Sequence, residues 1–181
     1  MRSGDKKAVN AAKNNGLIIS FDPNLRENLW DSLDKAKEKI EYGIANCDIL
    51  KISDNEIQWF TGEQDYDRAV EKLRSRFGNI RLLLLSLGKD GSRAFSGGNS
   101  AYAPAAPAKT IETTGAGDTF CGAILSKVLE YGLRDYSQQE LSDMLIYANA
   151  AAAIVTERKG ALRVMPKPEE ITDRMRRSRN D

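Results

Sequence analysis

The stretch Thr113-Thr114-Gly115-Ala116-Gly117-Asp118-Thr119-Phe120-Cys121-Gly122-Ala123-Ile124 constrains this chain more than any other. Three small residues, Gly115, Ala116 and Gly117, lead into an apolar stripe at helical spacing: Phe120, Ile124, Leu125, Val128 and Leu129. A helix N-terminus carries about +0.5 charge and unpaired N–H groups. Small residues leading into it let an anion such as a phosphate approach the backbone. Asp118 falls in the first turn, where a carboxylate can take a proton from an incoming hydroxyl. The local chemistry points to phosphoryl transfer from a nucleotide to an alcohol. The same residues also make an ordinary tight turn with a dipole partner, and the stretch alone leaves both readings open. Two better-known phosphate motifs are excluded. A dinucleotide G-x-G-x-x-G beginning at Gly115 needs glycine at the position of Phe120, and no G-x-x-x-x-G-K-[ST] occurs.

Composition narrows the chemistry further. The chain has no histidine, which removes Ser-His-Asp and Cys-His catalysis and His-ligated zinc. Acid–base work falls to carboxylates, Lys, Tyr or Cys. Lys and Arg number 27 against 26 Asp and Glu, so there is no electrostatic case for nucleic acid or a membrane surface. The basic run Arg174-Met175-Arg176-Arg177-Ser178-Arg179 reads as a solvated terminus. Cys47 and Cys121 stand far apart in unrelated contexts and set no disulfide or metal spacing. No run of 18 apolar residues exists, and the first seven residues lack the apolar core of a signal peptide. The expected setting is a reducing cytoplasm.

Along the chain, residues 4–15 read as a helix stopped at Asn15-Gly16, and Leu17-Ile18-Ile19-Ser20-Phe21 as a buried strand. Asp22-Pro23-Asn24 follows at the strand's C-terminal end, where open α/β sheets bind ligands. A helix over 31–46 places Leu33, Ala36 and Ile40 on one face, and Ile49 to Ile52 is the next strand. Ser53 and Glu56 form a capping box before Ile57, Trp59 and Phe60. A helix over 65–77, a doubly buried strand over 82–87, a turn at Gly88-Lys89-Asp90-Gly91 and a returning strand from Ser92 to Phe95 follow. Asn99 to Ala108 reads as a Pro- and Ala-rich connection, and 116–131 as the helix behind the central motif. Ser137 and Glu140 open a helix that Gly160 ends, and Pro168 starts a last short one. Strands and helices alternate, so one α/β domain over 1–181 with a mostly parallel sheet is expected.

Four segments in this order resemble the PfkB, or ribokinase-like, carbohydrate kinases, and most closely the fructokinases. They are Phe21-Asp22-Pro23-Asn24-Leu25-Arg26 with Leu29-Trp30, Lys51-Ile52-Ser53-Asp54-Asn55-Glu56, Leu85-Ser86-Leu87-Gly88-Lys89-Asp90-Gly91, and Thr113 to Phe120. Ala148 to Ala153 and Gly160-Ala161 complete the pattern. The resemblance implies a ribokinase-like three-layer fold and ATP-dependent phosphoryl transfer to a sugar hydroxyl. It implies Asp118 as the base and the N–H groups of Gly115, Ala116 and Gly117 as the anion hole. By the same resemblance Glu56 would organise Mg²⁺ through water, Lys51, Ser86, Gly88, Gly91 and Asn149 would serve the nucleotide, and Arg26 the acceptor. The 2-keto-3-deoxygluconate kinases, ribokinases and nucleoside kinases share much of the pattern, and a non-catalytic nucleotide-binding or oligomerising remnant is a reading of another class.

This chain departs from the family in three places. Glu112 stands where the family carries an Asp that contributes to a monovalent-cation site, and the added methylene weakens or moves that site. Ser53 stands at the first position of the family's Asn-x-x-Glu, as in fructokinase-like members. The segment that supplies the first strands, most sugar contacts and the β-sheet lid in the family has no counterpart. A sheet opened in this way exposes an apolar edge, so a homo-oligomer or marginal stability is expected.

Overall fold

A computed structural model describes residues 3–177, so Met1, Arg2 and the Ser178 and Arg179 of the basic run lie outside the described residues. The described chain forms two compact units, the first running to Leu85 and the second beginning at Ser86.

In the first unit α1 (Ser3–Asn14) ends before Gly16, whose φ of +65° is the left-handed conformation that glycine adopts without penalty. β1 (Ser20–Phe21), α2 (Leu33–Ile44), β2 (Ile49–Ser53), α3 (Asp54–Thr61), α4 (Tyr66–Arg76) and β3 (Leu82–Ser86) follow. β1 runs parallel to β2, with Ser20 opposite Ile49 and Phe21 opposite Leu50. The Asp48 and Ile49 N–H groups both donate to Ile19 O, and one strand further on those of Arg81 and Leu82 both donate to Asp48 O. Ile49, Leu50, Ile52 and Leu82 through Leu85 are wholly buried, which is why these strands read as unbroken apolar runs. The Phe21 ring lies against Gly43 of α2, where a Cβ would stand 2.3 Å from it. Ser32 and Asp65 cap α2 and α4 by accepting from the N–H groups of Lys35 and Arg68.

The strand expected from Leu17 is shorter. Pairing with the β2 side begins only at Ile19, so Leu17 and Ile18 precede the ladder and are 61% and 51% exposed. Leu33 is also exposed, because it opens α2 before the helix's buried face of Ala36, Ile40 and Ile44 begins.

The second unit contains β4 (Ser92–Ser96), β5 (Asn99–Ala103), α5 (Ala116–Tyr131), α6 (Gln138–Thr156) and α7 (Pro168–Arg177). β4 and β5 form an antiparallel hairpin from Ser92↔Ala103 to Ser96↔Asn99. The expected connection over 99–108 therefore begins as a strand. Gly97-Gly98 is the two-residue turn that announces it, and Gly97 takes φ +53°. α5 buries Phe120, Ile124 and Val128 as expected, but Leu129 is 86% exposed, on the solvent side of the last turn. α6 stops at Thr156 rather than at Gly160, and Glu157 caps it through N–H bonds to Ile154 O and Val155 O. The basic run is helical through Arg177, and Arg174 is engaged with Glu157 rather than free in solvent. No helix among the described residues is long and apolar enough to cross a membrane.

Both predicted capping boxes form. At the start of α6, Ser137 Oγ accepts from Glu140 N, and Glu140 Oε2 accepts from Ser137 N at 2.9 Å and Ser137 Oγ at 2.8 Å. The Arg134 guanidinium, with these Ser137 donors, holds the Glu140 carboxyl at about 2, well below its ordinary 4.5. A depressed carboxylate stabilises the fold above its unfolded pKa, and that contribution disappears as pH falls through the folded value. Replacing Glu140 by Gln is therefore expected to lower the urea midpoint at pH 6, with the gap to wild type closing between about pH 4.5 and 2. A gap that is constant down to pH 2 would contradict this.

Candidate active site

The central motif forms the N-terminus of α5. Gly115 is its N-cap at φ +80°, and a Cβ there would stand 3.2 Å from the Ala161 methyl. Conformation and packing both call for glycine. Gly115 O accepts from Thr119 N at 2.8 Å, while Ala116 N donates back to Thr113 O at 3.1 Å. Ala116 N–H is thus engaged in the turn rather than directed at an anion. Among the described residues none accepts from the N–H groups of Gly115, Gly117 or Asp118. Asp118 is exposed, and its carboxylate accepts no hydrogen bond from the described residues. An unpaired carboxylate beside unpaired N–H donors at a helix N-terminus can take a proton while the donors hold an anion.

Two neighbouring carboxylates behave differently. Glu112 Oε2 accepts from Gly160 N at 3.0 Å. The Thr114 hydroxyl, and then that Gly160 N–H, hold the Glu112 carboxyl below its ordinary range. The longer Glu112 side chain thus ties the approach to α5 to the turn after α6. Glu157 is engaged in the same way with Lys109 N, at 3.0 Å.

A cavity of about 580 Å³ opens beside this N-terminus, within the range of small-ligand sites. Ala116 and Thr113 line it together with Gly88, Asn149, Ala152 and Thr156. Gly88 takes φ +57° in the turn after β3, and Ser86 closes that strand. Gly91 does not line the cavity. It has φ +101°, and a Cβ on it would meet Ala103 O at 2.2 Å and Pro104 Cα at 2.7 Å. Its role is to let the turn sit against the end of β5. Asn149 is buried with both amide N–H donors engaged: Nδ2 donates to Ala103 O at 3.1 Å and Pro104 O at 2.9 Å, and Oδ1 accepts from Ser92 Oγ at 2.9 Å. Asn149 therefore borders the cavity while fixing the chain that leaves β5.

In the first unit, Glu56 and Lys51 are brought together at the C-terminal ends of β1 and β2. Glu56 Oε2 accepts from Ser53 N at 2.9 Å and Ser53 Oγ at 2.8 Å, and Oε1 accepts from Leu25 N at 2.6 Å. A carboxylate offers roughly four lone-pair sites, so about one remains. Lys51 is buried and paired with Asp22, Nζ to Oδ2 at 3.1 Å. Burial pushes the Asp22 carboxyl above its ordinary value against the opposing pull of Lys51, and nearby Glu56 adds to the rise. Arg26 is exposed, at the entry to the short turn Glu27–Leu29. Among the described residues no three acidic, Cys or His side chains converge as a metal cage.

Sequence reasoning gave the Asp22 side chain no role of its own, although the residue belongs to the Phe21–Arg26 segment at the C-terminal end of β1. It also missed Thr119, whose buried hydroxyl has no hydrogen-bond partner among the described residues and borders a smaller cavity of about 200 Å³ with Asp118. A threonine on the inner side of an apolar helix gives no signal of this kind.

Residues 3–168 match the family described as pfkB family carbohydrate kinase. The chain belongs to that family. It is 35% identical to fructokinase-2 of Solanum lycopersicum over 170 residues, 93% of this chain and 51% of that protein. It is 34% identical to fructokinase-1 of Oryza sativa subsp. japonica over 171 residues, 94% of this chain and 52% of that one. The chain thus spans about half the length of these relatives. Its fold is similar to part of a fructokinase from Vibrio cholerae O395 solved with fructose, ADP and calcium ion bound, at TM-score 0.85 and 28% identity over 96% of this chain and 56% of that one. An aminoimidazole riboside kinase from Salmonella enterica, complexed with aminoimidazole riboside and an ATP analog, follows at TM-score 0.79 and 27% identity, over 93% of this chain and 56% of that one. The expected α/β, ribokinase-like fold is therefore present in this pfkB-family chain.

The Gly91 geometry gives a test of the turn in this family member. Gly91→Ala is expected to cost about 3 kcal/mol or more, from a disfavoured φ and a backbone oxygen that cannot move aside. Urea unfolding measures the loss, and an unchanged midpoint would contradict the packing described.

Proposed function

We propose that this chain is the nucleotide-binding and catalytic segment of a cytoplasmic, ATP-dependent carbohydrate kinase acting on fructose or a related sugar. The observation that carries the reading is the Asp118 carboxylate beside the Gly115 and Gly117 N–H groups at the start of α5, all unpaired among the described residues. In the proposal Asp118 accepts the proton of the sugar hydroxyl as that oxygen attacks the terminal phosphorus of ATP. The bond from that phosphorus to the bridging oxygen breaks, and ADP leaves. The N–H groups of Gly115 and Gly117 stabilise the charge on the transferring phosphoryl, the main demand of this reaction. The 580 Å³ cavity at Gly88 and Asn149 receives the base and ribose. Asn149 acts there through the backbone it fixes, because its own amide is engaged.

Mg²⁺, when bound, neutralises phosphate charge. It typically keeps several waters and takes one or two carboxylates besides the phosphates. Glu56, with about one lone-pair site left, fits contact through water and not a protein cage. Lys51, paired with the two oxygens of Asp22, keeps a third N–H for a phosphate. The Gly160 N–H bond to Glu112 supports a weak dependence on a monovalent cation. Burial pushes the Cys47 thiol up to about 12, so it stays protonated and outside the chemistry.

The test is fructose-dependent ADP release from MgATP. Asp118→Asn is expected to lower turnover by about 10²–10⁴-fold while leaving nucleotide affinity within a few-fold of wild type. Undiminished turnover in Asp118→Asn would remove the proposed base.

A further inference from the structure

Arg174 lies in a run that reads from sequence as a solvated terminus, yet its guanidinium is held on two sides. Nη1 donates to Glu157 Oε2 at 3.1 Å and Nη2 to Glu157 Oε1 at 2.9 Å, the parallel fork that arginine makes with a carboxylate. Nη2 also donates to Pro107 O. Glu157 Oε1 accepts in addition from Lys109 N at 3.0 Å. Two residues on, the Ile111 and Glu112 N–H groups both end on Thr156 O, at 2.8 and 3.1 Å. The side chains of the pair are only 24% and 28% exposed, so solvent screens it less than a surface pair.

The segment held in this way is one wall of the large cavity: Ala105, Ala106, Pro107, Ala108 and Thr110 line it. The segment has no secondary structure of its own, and residues 107–110 are exposed. Side chains as small as these provide little packing to fix a backbone. Its position depends on the hydrogen bonds at Pro107 O, Lys109 N, Ile111 N and Glu112 N.

We infer that Arg174 and Glu157 are positioning residues for nucleotide binding, which set the wall of a cavity that neither of the two lines. The inference rests on the reading of that cavity as the nucleotide site. It assigns a function to the C-terminal helix: loosening the Arg174–Glu157 fork lets the 105–110 wall drift, and nucleotide affinity falls although every residue lining the cavity is intact.

The experiment is calorimetric titration of the 181-residue chain with ADP in magnesium buffer. Arg174→Met is expected to weaken ADP binding about tenfold, the size of effect that a charged hydrogen bond supports. Arg174→Lys recovers part of the loss, because an ammonium keeps the charge without the fork. Glu157→Gln, which keeps an oxygen for Lys109 N, weakens binding by a smaller factor. Arg176→Met, whose guanidinium meets Asp173 within α7, leaves affinity unchanged. Amide exchange over 105–112 quickens in Arg174→Met and not in Arg176→Met. Absence of ADP binding by wild type would overturn the nucleotide reading and this inference with it. Tight binding by wild type and equally tight binding by Arg174→Met, or equal weakening by Arg174→Met and Arg176→Met, would overturn this inference alone.

Discussion

The left-handed turn at Gly115 is the constraint on which the candidate site depends. It brings the chain into α5 so abruptly that the N–H groups of Gly115 and Gly117 are left without partners among the described residues, while Thr119 N closes the first turn onto Gly115 O. Any side chain at 115 meets both the unfavourable φ and the Ala161 methyl, so the residue cannot change without moving the turn that follows α6. That turn is in turn held by Glu112 through Gly160 N. The anion site is thus a consequence of backbone geometry, and the catalytic proposal adds one side chain, Asp118.

A common device recurs along the chain. In a chain without histidine, several carboxylates fix loops, each by accepting a backbone N–H: Glu56 from Leu25 and Ser53, Glu112 from Gly160, Glu140 from Ser137, Glu157 from Lys109. Such charge-assisted bonds are stronger than neutral ones and hold irregular backbone that small side chains cannot pack. Against that background Asp118 differs, since no described residue occupies its carboxylate. Carboxylates that brace loops and a carboxylate left free for a proton are distinguished here by their partners, not by residue type.

Much of this was legible in the sequence, for identifiable reasons. The helix over 116–131, both capping boxes and the buried strand at Leu82 to Leu85 follow from short-range rules, and they form where expected. The β5 strand was hidden because Asn99-Ser100-Ala101-Tyr102-Ala103 is weakly apolar, although the Gly97-Gly98 turn before it was a usable signal. Leu129 falls on the apolar stripe of its helix and Leu17 in an apolar run, yet both are exposed, because burial depends on what lies opposite. The engagement of Asn149 with Ala103 and Pro104, and of Arg174 with Glu157, joins residues dozens of positions apart or in different helices. No local pattern encodes such pairs. The family resemblance supplied residue roles, and the geometry refined two of them: Ala116 N–H is used within its own turn, and Gly91 is a packing position.

The central claim is that phosphate binds at the N-terminus of α5. Backbone amide NMR of the isotopically labelled chain, titrated with a non-hydrolysable ATP analogue and Mg²⁺, tests it most directly. The account predicts that the Gly115 and Gly117 amide resonances shift strongly as the analogue saturates, with residues 105–110 moving beside them. Saturable binding that leaves the Gly115 and Gly117 amides in place would contradict it.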